Sequence, residues 1–315
     1  MKKILVALSL LLFLTACSEE KSKISYTVYP IEFLLERIAG DRIDSEKVSD
    51  EATILRSQVK DNYQDVVDDS DLLIYFSGLE PYMLSHFSSE VLGSIDLLDI
   101  SAKTNIYQFN RYTTINTAGS SIVVEGKYYD NPVFDTIDTY TSDPYIWMDP
   151  IAMISMANQI TTWLSNRYPQ DSDFFNANLE KLKYDLAYLD TEYQQLKKRT
   201  SPIQIVTLTP SFGPWQKNYG IQVYPVVLSR FGALPTNQQF ELIKQRIIQD
   251  GVKYIAYEED MPKEFKDLYD RLVLELGLES ITLSNLSYRS QKQIESNKDY
   301  IQIMYDNLIV LEGLE

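Results

Sequence analysis

Hydrophobic positions along this chain switch repeatedly between alternation and helical spacing, so its elements can be set down in order. Ser25-Tyr26-Thr27-Val28-Tyr29 alternates like a strand. Beyond Pro30, the apolar residues Ile31, Leu34, Leu35 and Ile38 share one helical face that Gly40 closes. A second strand is expected around Lys47 to Ser49, then a polar helix over Tyr63 to Val67. The unbroken apolar run Leu72 to Phe76 has the character of a buried parallel strand. Gly78 to Val91 reads as a helix and Ile95 to Ile100 as a short strand. Thr104 to Asp130 is rich in tyrosine and β-formers, with no period that assigns it.

From Asp171 to Arg199 the apolar residues Phe175, Leu179, Leu182, Leu186, Leu189, Tyr193 and Leu196 recur at spacings of four and three. That stripe predicts a helix about 43 Å long at about 1.5 Å per residue, more than one small domain requires. The alternation then resumes. Strands are expected at Ile203 to Leu208, Gln222 to Val227, Lys253 to Tyr257 and Ser280 to Leu283. Helices are expected at Phe212 to Tyr219, after the Thr236 cap, at Phe265 to Leu276 and at Asp299 to Leu311. The fold class is therefore α/β, with two Rossmann-like lobes of mostly parallel sheet joined by a long rigid helix. The expected divisions are 24–170 for the N-terminal lobe, 171–200 for the connecting helix and 201–315 for the C-terminal lobe.

Near the middle of the chain stands Asp143-Pro144-Tyr145-Ile146-Trp147-Met148-Asp149-Pro150. Asp149 suits an N-cap, and Pro150 suits the first helical position, where its missing N–H has no intrahelical partner. Tyr145, Trp147 and Trp215 either form an aromatic wall that stacks on a cationic or organic ligand, or fill the lobe cores.

Charge and residue counts narrow the function. Asp and Glu number 45 against 29 Lys and Arg, for a formal charge of −16, which argues against nucleic acid. With one His and one Cys, most metal and acid/base chemistry lacks its usual groups, and no enzyme is expected. His86, in the expected helix after Pro81, reads as a solvated or packed side chain rather than a lone ligand. Lys2 and Lys3, the apolar run Ile4 to Leu14, and Leu14-Thr15-Ala16-Cys17 make a cleavable leader over 1–17. Leu-Thr-Ala-Cys resembles the bacterial lipobox, which implies acylation of Cys17, a tether over 18–23 and a lipid membrane as partner. That leaves no disulfide, and it places the chain outside the cytoplasm.

Five further segments, in order, resemble the zinc and manganese substrate-binding lipoproteins of ABC importers, also called surface adhesins. They are Tyr29-Pro30-Ile31 through Ala39-Gly40-Asp41, Asp71 to Tyr75 through Gly78-Leu79-Glu80-Pro81-Tyr82, Asp143 to Trp147, Tyr219-Gly220-Ile221, and Leu234-Pro235-Thr236 through Tyr257-Glu258. The resemblance implies a divalent metal, zinc or manganese, held between the lobes, an ABC permease and ATPase as partners, and a monomer.

At the positions where this resemblance puts metal ligands, the chain carries other residues. The family histidines fall at Tyr145, at Thr209 and near Leu55 or Ile54, and the acidic ligand falls near Ser284 or Asn285. Zinc favours His nitrogen and Cys sulfur, and a phenol with a pKa of ~10 is a poor substitute. No metal-binding residue is therefore assigned. An oxygen site for a harder cation has Asp143, Asp149, Glu258 and Glu259 as candidates, although the first two suit turn and cap roles and the last two suit a strand end. The expected function is a lipid-anchored solute-binding protein of a metal-type importer with altered or lost metal specificity. The alternative is a surface or adhesin-like lipoprotein that uses the same scaffold without transport.

Overall fold

The computed structural model describes residues 21–49, 55, 59–76, 79–80, 82, 93, 95–117, 119–259 and 261–315. Cys17, the leader, Ile54, His86 and most of the expected helix from Gly78 to Val91 lie outside the described residues.

In the first half, β1 (Ser22–Tyr26) is followed by α1 (Tyr29–Ala39), β2 (Ile43–Lys47), α2 (Tyr63–Asp68), β3 (Leu72–Tyr75) and β4 (Asp96–Asp99). The four strands form one parallel sheet in the order β2-β1-β3-β4. Strand β1 begins three residues earlier than its alternation predicts. Its register against β2 starts at Ser22, and Tyr29 and Pro30 already belong to the first turn of α1. For the same reason β2 precedes the Lys47 to Ser49 expectation, because it follows directly from the short 3-10 turn Gly40–Arg42.

The unassigned tyrosine-rich stretch contains an antiparallel hairpin, β5 (Arg111–Thr117) and β6 (Ser120–Gly126). Then come α3 (Pro150–Arg167) and α4 (Ser172–Gln194), the latter extended by a 3-10 turn at Gln195–Lys198. The remaining elements are β7 (Gln204–Thr207), α5 (Gly213–Tyr219), β8 (Gln222–Pro225), α6 (Asn237–Gln249), β9 (Tyr254–Tyr257), α7 (Lys263–Leu276), β10 (Glu279–Thr282), α8 (Gln291–Glu295) and α9 (Tyr300–Glu312). Their strands pair in the order β10-β9-β7-β8, all parallel. Read from the other edge, this is second, first, third, fourth, the same topology as the first sheet.

Local chemistry starts and stops the helices where expected. The Asp149 side chain accepts from Ile151 N–H at 2.8 Å, with Pro150 in the first turn of α3. Thr236 and Gln239 make a reciprocal capping box on α6. The residues of the α4 stripe are all buried, and the helix packs on α1 and α3 at one end and on α5 and α9 at the other. Its length of about 35 Å at about 1.5 Å per residue reaches along both sheets.

Packing crosses the expected divisions at 170 and 201 in both directions. Tyr300 of α9 stacks on Phe33 of α1 at 5.1 Å, and one buried cluster runs continuously from β1 to α9. In the opposite sense, Tyr128, Tyr129, Phe134 and Tyr140 lie in the second core with Val206, Tyr224 and Phe240. Arg111 fastens the hairpin there, donating to Asp250 and to the Tyr224 hydroxyl, each at 2.9 Å. The reason is chemical. A tyrosine-rich stretch needs an apolar face for its rings and partners for its hydroxyls, and the second sheet supplies both.

Two buried carboxyls act as struts. Glu80 accepts from Phe76 N–H at 2.8 Å and from the Thr27 and Tyr82 hydroxyls at 2.9 Å, joining the ends of β1 and β3. Burial, opposed by these donors, still pushes its pKa up to about 7. Asp143 accepts from Tyr145 N–H at 3.2 Å, and burial pushes its pKa up to about 8. The Asp143 carboxyl lies against Gly213, where an added Cβ would come within 1.7 Å of Oδ2.

Since one core spans both sheets, Leu189→Ala is expected to cost about 2–5 kcal/mol, measured as a shifted midpoint of a single urea transition. Two transitions, only one of them shifted, would contradict a shared core. The raised carboxyl pKa values predict a pH dependence. Between the unfolded values and the folded ones the native state holds more protons, so their stabilisation is complete below pH ~4 and lost as pH rises through about 7 to 8. Urea midpoints should therefore fall between about pH 5 and about pH 9, and Asp143→Asn should flatten that fall by about 1.4 kcal/mol per pH unit within the window.

Candidate functional site

The carboxyl ends of β7, β9 and β10 converge on one buried carboxylate, in the region where α/β sheets commonly bind ligands. Glu258 follows β9 directly and is 6% exposed. From the loop after β7, the Ser211 hydroxyl donates to Glu258 Oε2 at 2.7 Å and the Thr209 hydroxyl to Oε1 at 3.2 Å. From the loop after β10, the Asn285 amide also donates to Oε2. Burial pushes the Glu258 pKa up, while the bonds from Ser211, Asn285 and Thr209 pull it back.

Each donor is itself positioned. The Thr209 carbonyl accepts from the Thr207 hydroxyl at 2.6 Å, and the Thr209 and Ser211 hydroxyls bond to each other. Asn285 Oδ1 accepts from the Ser287 hydroxyl at 2.8 Å and the Ser287 N–H at 2.9 Å, which leaves the amide nitrogen facing Glu258. Between them Leu286, fully buried, has φ 61°. This left-handed backbone costs a leucine about 1–3 kcal/mol and is held by its surroundings. The same loop reaches the first half of the chain, since Asn285 O accepts from the Trp147 indole at 2.8 Å and Ser287 O from Tyr29 N–H at 3.2 Å.

The structure brings together only some of the positions expected at the cleft. Thr209 and Asn285 meet on Glu258. Ser284 does not share in this, as its hydroxyl accepts from Leu286 N–H at 3.3 Å and its main chain pairs with the Asn307 amide. Leu55 is buried in the tyrosine-lined second core. Tyr145 is fully buried, with its ring 5.2 Å from Trp147. Trp147 and Trp215 are core residues rather than a ligand wall, and the Trp215 indole donates to Met148 O at 3.0 Å. Asp149 is a helix cap, while Glu259 accepts at its carbonyl from the Tyr288 hydroxyl. Ser211 and Ser287 were not anticipated. Ser211 lies two positions beyond Thr209, within reach of the same carboxylate, and only the fold shows it.

The cluster offers a single carboxylate, three hydroxyls and one carboxamide. Among the described residues there is neither His nor Cys, and no group of three or more His, Cys, Asp or Glu comes together. Such a donor set does not fit the nitrogen- and sulfur-rich coordination that zinc prefers. Beside it opens a cavity of about 430 Å³, walled in part by Glu258, Ser284, Asn285, Tyr288 and Asn307.

Known proteins resemble the chain in sequence and in overall fold. The zinc-binding protein AdcA of Streptococcus pyogenes serotype M6 is 23% identical over 98% of the chain. The high-affinity zinc uptake system protein ZnuA of Bacillus subtilis is 24% identical over 55% of the chain and 54% of its own length. The chain spans about 61% of the AdcA relatives that it matches end to end. In three dimensions a zinc-bound variant of AdcAII from Streptococcus pneumoniae superposes with a TM-score of 0.74, 19% identity and coverage of 94% and 99% of the two chains. The laminin-binding protein Lbp of Streptococcus pyogenes gives 0.70, 18%, and 94% and 100%. These likenesses bear out the two-sheet α/β fold. Residues 1–18 match the prokaryotic membrane lipoprotein lipid attachment site, which makes the chain an extracytoplasmic lipoprotein. Residues 24–313 match the zinc-uptake complex component A family, periplasmic, and the chain belongs to that family.

Proposed function

We propose that the chain is the solute-binding component of a metal-type ABC importer whose metal specificity is altered or lost. Acylated Cys17 holds it on the membrane as a monomer, and a permease with its ATPase receives its cargo. The observation that carries this reading is the state of Glu258. Its carboxylate already accepts from Thr209, Ser211 and Asn285, so a metal ion would have to displace all three donors and would then find oxygen ligands only. In a solute-binding protein, capture and delivery depend on ligand binding the closed arrangement better than the open one. Here the Glu258 bonds stay among the loops after β7, β9 and β10 of one sheet, and they occupy the carboxylate without a metal. A second reading, a surface lipoprotein that contacts other molecules through the scaffold without transport, draws on the same self-satisfied cluster, because such a role requires no cargo.

Titration of the chain from residue 18 onward with Zn2+ and Mn2+, followed by calorimetry, is expected to give no affinity tighter than micromolar. Tyr145→His alone should leave this unchanged, since one imidazole in a fully buried site does not complete a tetrahedral shell. Sub-micromolar zinc binding by the unaltered chain would refute altered specificity. Sub-micromolar binding created by the single substitution would refute the statement that the other positions cannot serve.

A further inference from the structure

In a chain so rich in acid, most described cations sit beside a carboxylate, as Arg37 does with Asp185 and Asp299, Arg42 with Asp171, Lys244 with Glu241 and Glu275, and Arg289 with Glu32. Lys103, Lys181 and Lys292 are scattered exceptions. The other exceptions among the described residues gather in one place, where Lys197, Lys198, Arg199, Lys217 and Lys253 surround the amino ends of β7, β8 and β9. This is the opposite edge of the second sheet from Glu258.

Between the hairpin and the segment 196–203 lies a hollow of about 410 Å³, within the range of small-molecule sites. Lys197, Arg199 and Lys217 line it, together with the hydroxyl residues Thr200 and Ser201, and no Asp or Glu does. The Arg199 guanidinium is fixed by the carbonyls of Glu312, at 3.4 Å, and Leu314, which orient it without cancelling its charge. Lys217 Nζ lies 4.9 Å and 5.2 Å from the ring centres of Tyr107 and Tyr112. The acid nearest in effect, Glu125, is engaged by the Tyr112 hydroxyl at 2.8 Å and by Asn110. An adjoining hollow shares Arg199 and adds Lys253, but Glu315 lines it as well, so the excess of cations is undiluted only in the first. One wall is apolar, made by Val123, Pro202, Ile203 and Ile221, and Val123 is itself exposed.

We propose that this hollow binds a small organic anion, with its carboxylate or phosphate among Lys197, Arg199 and Lys217 and its apolar body against Val123, Pro202 and Ile221. Lys197 and Arg199 have no carboxylate among the residues lining this hollow and Lys217 feels only Glu125, so cations outnumber acids here, and an anion relieves their repulsion while its apolar part covers exposed surface. A soluble ligand is favoured over the membrane that carries the anchor. Ser22, where β1 begins, bonds to Tyr168 just before α4, whereas the hollow lies past the far end of that helix, about 35 Å away at about 1.5 Å per residue. The site lies apart from the Glu258 cluster and does not depend on what that cluster binds.

Calorimetric titration of the chain from residue 18 onward with decanoate, below its micelle concentration and at low salt, tests the proposal. Saturable one-to-one binding is expected, weakening as salt rises. Lys197→Glu, at an exposed position, should weaken it about tenfold. Lys197→Gln should act in the same direction by a smaller factor, and Lys292→Glu, an equal charge change elsewhere, should leave it intact. The proposal is overturned by the absence of binding, or by equal affinity for decyltrimethylammonium, which would show apolar adsorption alone. Equal affinity for inorganic phosphate, equal weakening by Lys292→Glu, or association only with vesicles of anionic phospholipid would overturn it as well.

Discussion

Trp147 donates its indole N–H to the carbonyl of Asn285, while its own carbonyl accepts from the Tyr300 hydroxyl at 2.6 Å. One residue just before α3 is thereby bonded to the loop after the last strand and to the last helix, in the buried interior. A buried indole without a partner costs more than the bond itself gains, so the three segments settle together or not at all. Met148, next in the chain, accepts from Trp215 and brings in the helix after β7. This core arrangement places the Asn285 backbone, while Ser287 orients its amide toward Glu258.

The two parallel sheets share one topology, but the buried clusters are not divided between them, since one runs from Ile24 of β1 through Ile205 and Val223 of the second sheet to Leu311 of α9. Packing a hairpin from the first half against the second sheet, and the last helix against the first half, ties the halves by interdigitation. The halves are therefore not joined by a thin linker alone, because α4 packs on helices of both.

Much of this fold is legible in local chemistry. The α4 stripe, the Asp149 and Thr236 caps, and the left-handed glycines Gly220 and Gly277 depend on neighbours within a few residues. The start of β1 was not legible, because its register is decided by β2, a partner separated from it by a helix. Nor was the destination of Tyr128, Tyr129 and Tyr140, whose hydrophobic face is provided some hundred residues later. At the candidate site the sequence identified Thr209 and Asn285 through family position and held Glu258 only as one of four candidate oxygen ligands, its place at a strand end suiting a plain polar role, and it could not place Leu55 and Tyr145 in packed interior. Both are defined by what surrounds them, and a periodicity of two or 3.6 carries no such information.

The near contact between Asp143 and Gly213 limits what position 213 can carry. No side chain fits at 213 while a carboxyl occupies its space, and a carboxyl so deeply buried keeps its hydrogen bond to Tyr145 only where it now lies. A side chain at 213 is therefore tied to the space that the Asp143 carboxyl holds, 70 residues away in sequence.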